Sequence, residues 1–331
     1  MALTAQNVGG VWNKIGAMPK LYIEEFVGIT NRLECLSLAF AIQKEYGHDI
    51  ILDWSELDSF CVDGTRRGKV TFLTKLGAER VRNCDMATFS RLAGKKILLR
   101  SLDGPPEKLD PIYMDVPARV HPKEHLAAEI RAMFAAVNGR PTVGIHIRHG
   151  DFQLANNDSY SIDGVEWPAV PIWWYEKTME KIVELKRDTC FFLSCTGDPD
   201  SHGALTKKFD VITVPVQSPY GYKNRGNDHR STVNPVADLF ALACCPVVLA
   251  TPISGYSHWA ANVLGIPATC IIPLPGASET NPLMGAVRIY GSRLPRWRAA
   301  GRTGSDVTPL DNKLTGINLD APADTSWLRP C

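Results

Sequence analysis

The stretch Val143-Gly144-Ile145-His146-Ile147-Arg148-His149-Gly150-Asp151 decides the fold. From Thr142 it reads as an apolar strand that stops at Gly150, the way a parallel β-strand runs out into a βα loop. Ligands of open α/β sheets bind beyond the carboxyl ends of such strands. Arg148 offers a planar fork of donors suited to phosphate, Gly150 lets backbone come close to a ligand, and Asp151 can remove a proton. Alternation places His146 and Arg148 on one face of the strand. The combination asks for an anionic ligand.

The same rhythm extends both ways. Upstream, Lys20 to Val27 reads as a strand and Gly28-Ile29-Thr30-Asn31 as a tight loop. Arg32 to Tyr46 then reads as a helix closed by Gly47, and Ile50 to Trp54 as the next strand. A helix is expected from His121-Pro122 to Ala136. Asn138-Gly139-Arg140-Pro141 ends it, which sets a domain boundary of 1–138 against 139–331.

Downstream, strands are expected over 142–148, 190–194, 211–214, 247–251 and 268–272. The helices between them are expected over 173–186, 235–244 and 257–264. Leu154 to Val170 and Gln217 to Asn234 read as polar loops. The class is α/β with mostly parallel sheets in two Rossmann-like domains.

Composition excludes several roles. The chain has 331 residues, 45% hydrophobic and 21% charged, enough for two soluble cores. A net charge of +1 gives no global attraction to nucleic acid. Leu239 to Ala250, broken by Pro246, is too short to cross a bilayer, and Met1 to Lys20 has no signal-peptide pattern. The nine cysteines are irregularly spaced without a CxxC pair, which predicts reduced, buried thiols and a cytoplasmic location.

The second informative run spans Ala237-Asp238-Leu239 to Trp259-Ala260-Ala261: a helix, a buried strand, and the small-residue turn Thr251-Pro252-Ile253-Ser254-Gly255-Tyr256-Ser257 into another helix. Backbone amides at such a helix start form an anion site. Ordinary N-capping by Ser254 or Ser257 is the competing explanation. For Asp238 it is a charge favoured by the helix dipole, and for His146 a hydrogen-bonded core imidazole.

Two family resemblances follow from these residues. Arg148-His149-Gly150 resembles the histidine phosphatases, whose motif sits on the first strand of its domain rather than about 140 residues in. H-x-R-x-G-D over 146–151, D-L-x-x-L-x-x-C from Asp238, the Ser/Gly turn with W-A-A, and Gly28-x-x-Asn31-x-Leu33 together resemble the fucosyltransferase superfamily. Among its members the α1,6-fucosyltransferases of bacterial Nod-factor type look nearest, and the match spans most of residues 20–275.

That resemblance implies a GT-B fold of two facing Rossmann-like domains, the first on the acceptor side and the second holding the nucleotide sugar. It implies an inverting glycosyltransferase that moves fucose or a related sugar from a GDP-sugar to a glycan or other hydroxyl acceptor. By the same resemblance Arg148 holds the β-phosphate, His146 lies beside guanine or ribose, and Asp238 accepts the guanine N1–H and N2–H₂. Ser254, Gly255 and Tyr256 wrap the phosphates, and Gly150 and Ser257 complete the nucleotide-sugar-binding set.

Asp151 is the expected base, with Asp158 or Glu166 behind it. Phe152 stands where animal members carry Lys, so the cation on the leaving group is expected from Lys223, Arg225 or Arg230. No cofactor and no metal is expected, because Asp198-Pro199-Asp200 has its centre filled by a turn proline. A place in the cytoplasm or at the periphery of an inner membrane, with no transmembrane segment, completes the expectation. A phosphatase-like hydrolase using His149 as nucleophile, and a non-catalytic nucleotide-binding protein of the same fold, are the alternatives. His149→Ala abolishing phosphate release would identify the first, GDP binding without transfer the second.

Overall fold

A computed structural model describes residues 18–148, 159–162, 165–168, 170–195, 202–214, 220–224, 227–231, 235–251, 254–287 and 307–331. The N-terminal unit opens with β1 (Lys20–Glu24), α1 (Ile29–Tyr46) and β2 (Asp49–Asp53). β1 and β2 pair in parallel, Leu21 opposite Ile50 and Ile23 opposite Leu52. These four side chains are buried with Leu33, Leu36 and Phe40 of α1. Gly47 ends α1 in the left-handed conformation at φ 70°, its N–H on the Gln43 carbonyl, as a glycine C-cap does.

The unit continues with β3 (Phe60–Val62), β4 (Thr65–Arg67), α2 (Phe72–Lys75), β5 (Glu79–Val81), α3 (Met86–Ser90), β6 (Ile97–Leu99), α4 (Pro106–Leu109) and β7 (Val120–Pro122). The main sheet runs β4-β2-β1-β6-β5, all parallel, while β3 and β7 form a separate antiparallel pair. His121-Pro122 therefore belongs to a strand and not to the helix expected there. That helix, α5 (Glu124–Ala135), begins two residues later. The turn after β1 is pinned from below: Arg32, wholly buried, donates to the Val27 carbonyl at 2.8 Å and pairs with Glu56 after β2.

The C-terminal unit contains β8 (Thr142–Ile147), β9 (Ser159–Ile162), β10 (Val165–Pro168), α6 (Ile172–Leu185), β11 (Cys190–Cys195), α7 (Gly203–Lys208) and β12 (Val211–Ile212). It continues through β13 (Tyr220–Asn224), β14 (Asn227–Ser231), α8 (Pro235–Leu242), β15 (Val247–Leu249), α9 (Gly255–His258) with a π turn over Trp259–Val263, β16 (Thr269–Pro273), β17 (Met284–Val287) and β18 (Val307–Pro309). Its sheet runs β12-β11-β8-β15-β16-β17-β18, parallel up to β16 and antiparallel beyond it. Two units on mostly parallel sheets make the α/β class expected. The β9–β10 and β13–β14 hairpins lie inside stretches expected as loops. β13 and β14 are polar, YGYKN and NDHRS, and the alternation in SYSI and VEWP of β9 and β10 lasts only four residues each, too short a run to set a strand apart from a loop.

β8 lies centrally and its two faces differ. Val143, Ile145 and Ile147 pack under α6 against Trp174, Tyr175, Met179 and Ile182. Gly144 lies under α8, where a Cβ would come within 2.6 Å of Leu242 Cδ1 and 3.1 Å of Cys245 Cβ. A Cβ there would require Leu242 to turn its side chain away and Cys245 to give by a few tenths of an ångström. Phe192, beside Gly144 on β11, packs on Phe134 of α5 at 5.9 Å between ring centroids.

One continuous core joins the units, containing Leu33 and Leu36 of α1 together with Phe240 and Trp259. Across it the Glu34 carboxylate accepts from Tyr113 Oη at 3.0 Å and from Trp259 Nε1 at 2.6 Å. The C-terminal residues strap the assembly. Thr142 N–H bonds the Ala321 carbonyl, Asp324 N–H the Cys244 carbonyl, and Trp327 stacks on Phe240.

The strap ends at β3, where Cys331 forms a disulfide with Cys61. This corrects the expectation of nine reduced thiols. Seven cysteines are buried free thiols, and two are bonded. The two partners lie 270 positions apart, so spacing could not pair them. The inference from reduced thiols to a cytoplasmic location loses its premise. Among the described residues no helix is long and apolar enough to cross a membrane.

Candidate nucleotide site

The site forms where β8 parts from β15. Their ladder ends at Ile145–Leu249, while β8 stays paired with β11 through Ile147. The freed carbonyl of His146 is taken by two hydroxyls, Tyr175 Oη and Thr251 Oγ1, each at 2.9 Å. These bonds fix the strand exit that carries Arg148.

His146 points to the α8–α9 side and is buried. Its ring stacks on Tyr256 with centroids 4.8 Å apart and planes 22° apart, and Nδ1 lies 2.7 Å from Ser257 Oγ. Burial first, and the Arg148 cation second, push its pKa down to about 3. The imidazole is therefore neutral at physiological pH, with one nitrogen a donor and one an acceptor. Arg148 is half-buried at the strand exit.

Asp238 stands in the first turn of α8 and is 3% exposed. Burial drives its carboxyl up to about 8, against the opposing effect of a hydrogen bond with the Ser194 side chain. Ser194 faces His146 across the β8–β11 ladder and is also hydrogen-bonded to Tyr256. Tyr256 donates to the Pro235 carbonyl at 2.6 Å, and burial with the nearby Asp238 keeps its phenol protonated. His146, Ser194, Asp238, Tyr256 and Ser257 thus form one connected polar cluster at the carboxyl edge of the sheet.

Ser254 sits at the N-cap position of α9 but its side chain makes no capping bond. Its hydroxyl is buried without a hydrogen-bond partner among the described residues. Ser257 binds His146. N-capping therefore does not explain either serine. A buried hydroxyl left without a partner costs free energy, which a bound ligand would recover.

Not every expected residue is brought in. His149, Gly150, Asp151, Asp158, Asp198, Asp200 and Arg225 lie outside the described residues, as does the start of the chain. Glu166 falls on β10, Lys223 on β13, and Arg230 on β14. Sequence reasoning missed Ser194, Tyr175 and Thr251. The signal for Ser194 is one hydroxyl inside the apolar strand CFFLSC. Tyr175 and Thr251 gave none, since their shared partner is a backbone carbonyl.

The fold and cluster together define a two-unit α/β protein with a buried polar cluster at the carboxyl edge of its C-terminal sheet. No protein-family model matches the chain, and no curated protein does. Among solved structures it is similar to the fucosyltransferase NodZ from Bradyrhizobium, at 14% identity and a TM-score of 0.46, over 79% of this chain and 97% of that one. It is also similar to NodZ alpha-1,6-fucosyltransferase co-crystallized with GDP, at 14% identity and a TM-score of 0.48, over 82% and 99%. POFUT1 in complex with GDP-fucose is similar at 9% identity and a TM-score of 0.49, over 78% and 98%.

Proposed function

We propose that the chain is an inverting glycosyltransferase that takes a sugar, fucose first among them, from a GDP-sugar and passes it to a glycan or other hydroxyl acceptor. The observation that carries this is the Asp238 cluster. A carboxyl buried in a polar cluster at the carboxyl edge of a parallel sheet, with its pKa pushed to about 8, is expensive to keep and supports a role in binding. Guanine offers N1–H and N2–H₂ side by side, and a carboxylate accepts both. Binding would exchange Ser194 for two donors and favour the ionised form.

The other residues then take definite roles. The neutral His146, stacked on Tyr256, borders the base or ribose. Arg148 lies at the strand exit to receive the diphosphate, and the Ser254 hydroxyl is left for a phosphate oxygen. Charge growing on the departing GDP is stabilised by Arg148 and by donors of the Ser254–Ser257 turn. Asp151 is the proposed base for the acceptor hydroxyl, and the cation of Arg148 serves where other transferases use a metal.

The test is a melting panel with GDP, UDP, ADP and their sugars, since a ligand that binds the folded state raises the melting temperature by mass action. GDP and GDP-fucose should give the largest shifts. A larger shift with UDP or ADP would overturn the nucleotide assignment, and GDP-fucose turnover without transfer to any hydroxyl would overturn the reaction.

A further inference from the structure

The crossover from β4 to β5 carries an apolar cluster that the proposed reaction does not use. Phe72 and Leu73 are 75% and 74% exposed and Leu76 is 52% exposed, all within one five-residue turn. The sheet beneath explains the geometry. One face is covered by α1, but the other, among the described residues, buries the small cluster Tyr22, Ile51 and Leu98, with Val70 and Ala78 of the crossover laid over them. Parallel sheets ordinarily have helices on both faces. Here a thin strip does that work, turning Val70 and Ala78 inward and Phe72, Leu73 and Leu76 outward.

The charge around these side chains is one-sided. Thr65 to Arg82 holds six Lys or Arg (Arg66, Arg67, Lys69, Lys75, Arg80 and Arg82) and one acid, Glu79. The ion pairs are layered. Arg66 is 63% exposed over an Asp49 that is 14% exposed, and Lys69 is 79% exposed over an Asp53 at 21%. Lys75 likewise covers the more buried Glu24. Arg67 pairs with an exposed acid, Asp58. Arg80 and Arg82 are exposed at the far end. Asp49, Asp53 and Glu24 lie beneath their cations, while Asp58, Asp63 and Asp85 are exposed beside five exposed cations (Arg66, Arg67, Lys69, Arg80 and Arg82), so the outer layer carries more basic than acidic groups around the apolar side chains.

We propose that this face docks the protein on an anionic bilayer. Phe72, Leu73 and Leu76 enter the boundary between headgroups and acyl chains, while Arg66, Lys69 and Arg80 stay among the headgroups. A shallow apolar tip on a crossover whose two ends, at opposite edges of the sheet, carry cations complements a surface that is negative everywhere and apolar just below it. A protein partner would need an apolar contact depleted of lysine, and the whole chain, at +1, supplies no general attraction. The proposal stands apart from the glycosyltransferase reading, because none of these residues belongs to the nucleotide site.

Co-sedimentation tests it, with vesicles of phosphatidylcholine alone and of phosphatidylcholine with an equal part of phosphatidylglycerol. Partition should be at least about tenfold stronger on the mixed vesicles and should weaken with salt. The triple variant Phe72→Ser, Leu73→Ser, Leu76→Ser should lose roughly tenfold or more on mixed vesicles with its circular dichroism unchanged. Lys69→Glu with Arg80→Glu should lose the preference for phosphatidylglycerol. If the triple variant fails to fold, Phe72→Ser alone carries the same comparison. Equal partition on both vesicles, or wild-type partition by the serine variant, overturns the proposal. So does a concentration-dependent dimer that the serine variant abolishes while vesicles bind nothing, since the partner is then a second copy.

Discussion

If Asp238 reads guanine, GDP affinity must depend on pH in a defined way. With its carboxyl at about 8 in the free protein, only about a tenth is ionised at pH 7 and about a hundredth at pH 6. A complex that needs the carboxylate must first remove that proton. GDP affinity should therefore rise roughly tenfold from pH 6 to 7, rise again by about fivefold to pH 8, and level off above it, with close to one proton released per GDP at pH 7. Stability runs the opposite way. The folded-state pKa is raised above the unfolded value of 3.8. The group's contribution is thus fully present below about pH 4 and is lost as pH rises toward 8, at about 1.4 kcal/mol per unit.

Asp238→Asn keeps the shape and cannot ionise. It should stabilise the ligand-free protein at pH 7 by up to about 4 kcal/mol, flatten its pH dependence, and weaken GDP at least about tenfold more than UDP, because an amide cannot accept both guanine donors. Calorimetric titration at pH 6, 7 and 8, in two buffers of different ionisation heat, reads both affinity and proton release. A GDP affinity that does not change with pH, together with equal losses for GDP and UDP, would refute the reasoning and leave Asp238 as a charge at a helix start.

Four further outcomes are expected. Arg148→Ala should leave melting unchanged and cut transfer by at least about 10², whereas His149→Ala should cost only about tenfold; initial rates on GDP-fucose in the reverse order would favour the hydrolase alternative. EDTA should leave transfer intact, and loss on chelation restored by Mn²⁺ would direct attention to Asp198 and Asp200. Glu34→Ala removes the acceptor of the indole N–H of Trp259 and of the Tyr113 hydroxyl and should lower stability by about 1–3 kcal/mol; an unchanged denaturant midpoint would deny that link. Cys331→Ser opens a bridge spanning 270 positions and should cost about 2–4 kcal/mol, read as a lower melting temperature that reductant no longer shifts.

Sequence and tertiary structure contributed different things. The strand 142–147, the helix closed by Gly47 and the turn from Thr251 into α9 were legible because burial on a sheet and helix termination are local: each leaves a period or a cap within a dozen residues. His146, Asp238 and the Ser254–Ser257 turn were legible for the same reason, as polar residues interrupting apolar runs. What those residues touch was not legible. His146 meets Ser257 across 111 positions, Glu34 meets Trp259 across 225, and Cys61 meets Cys331 across 270. Ser194 becomes part of the site only because β11 lies beside β8 and places it opposite His146. The pKa of Asp238 likewise depends on what surrounds it, since desolvation is a property of the packed neighbourhood and not of the residue. The sequence by itself determined which groups stand at the carboxyl ends of the strands. Only the tertiary structure decided which of them meet, because chain separation carries no information about distance once the sheet has closed.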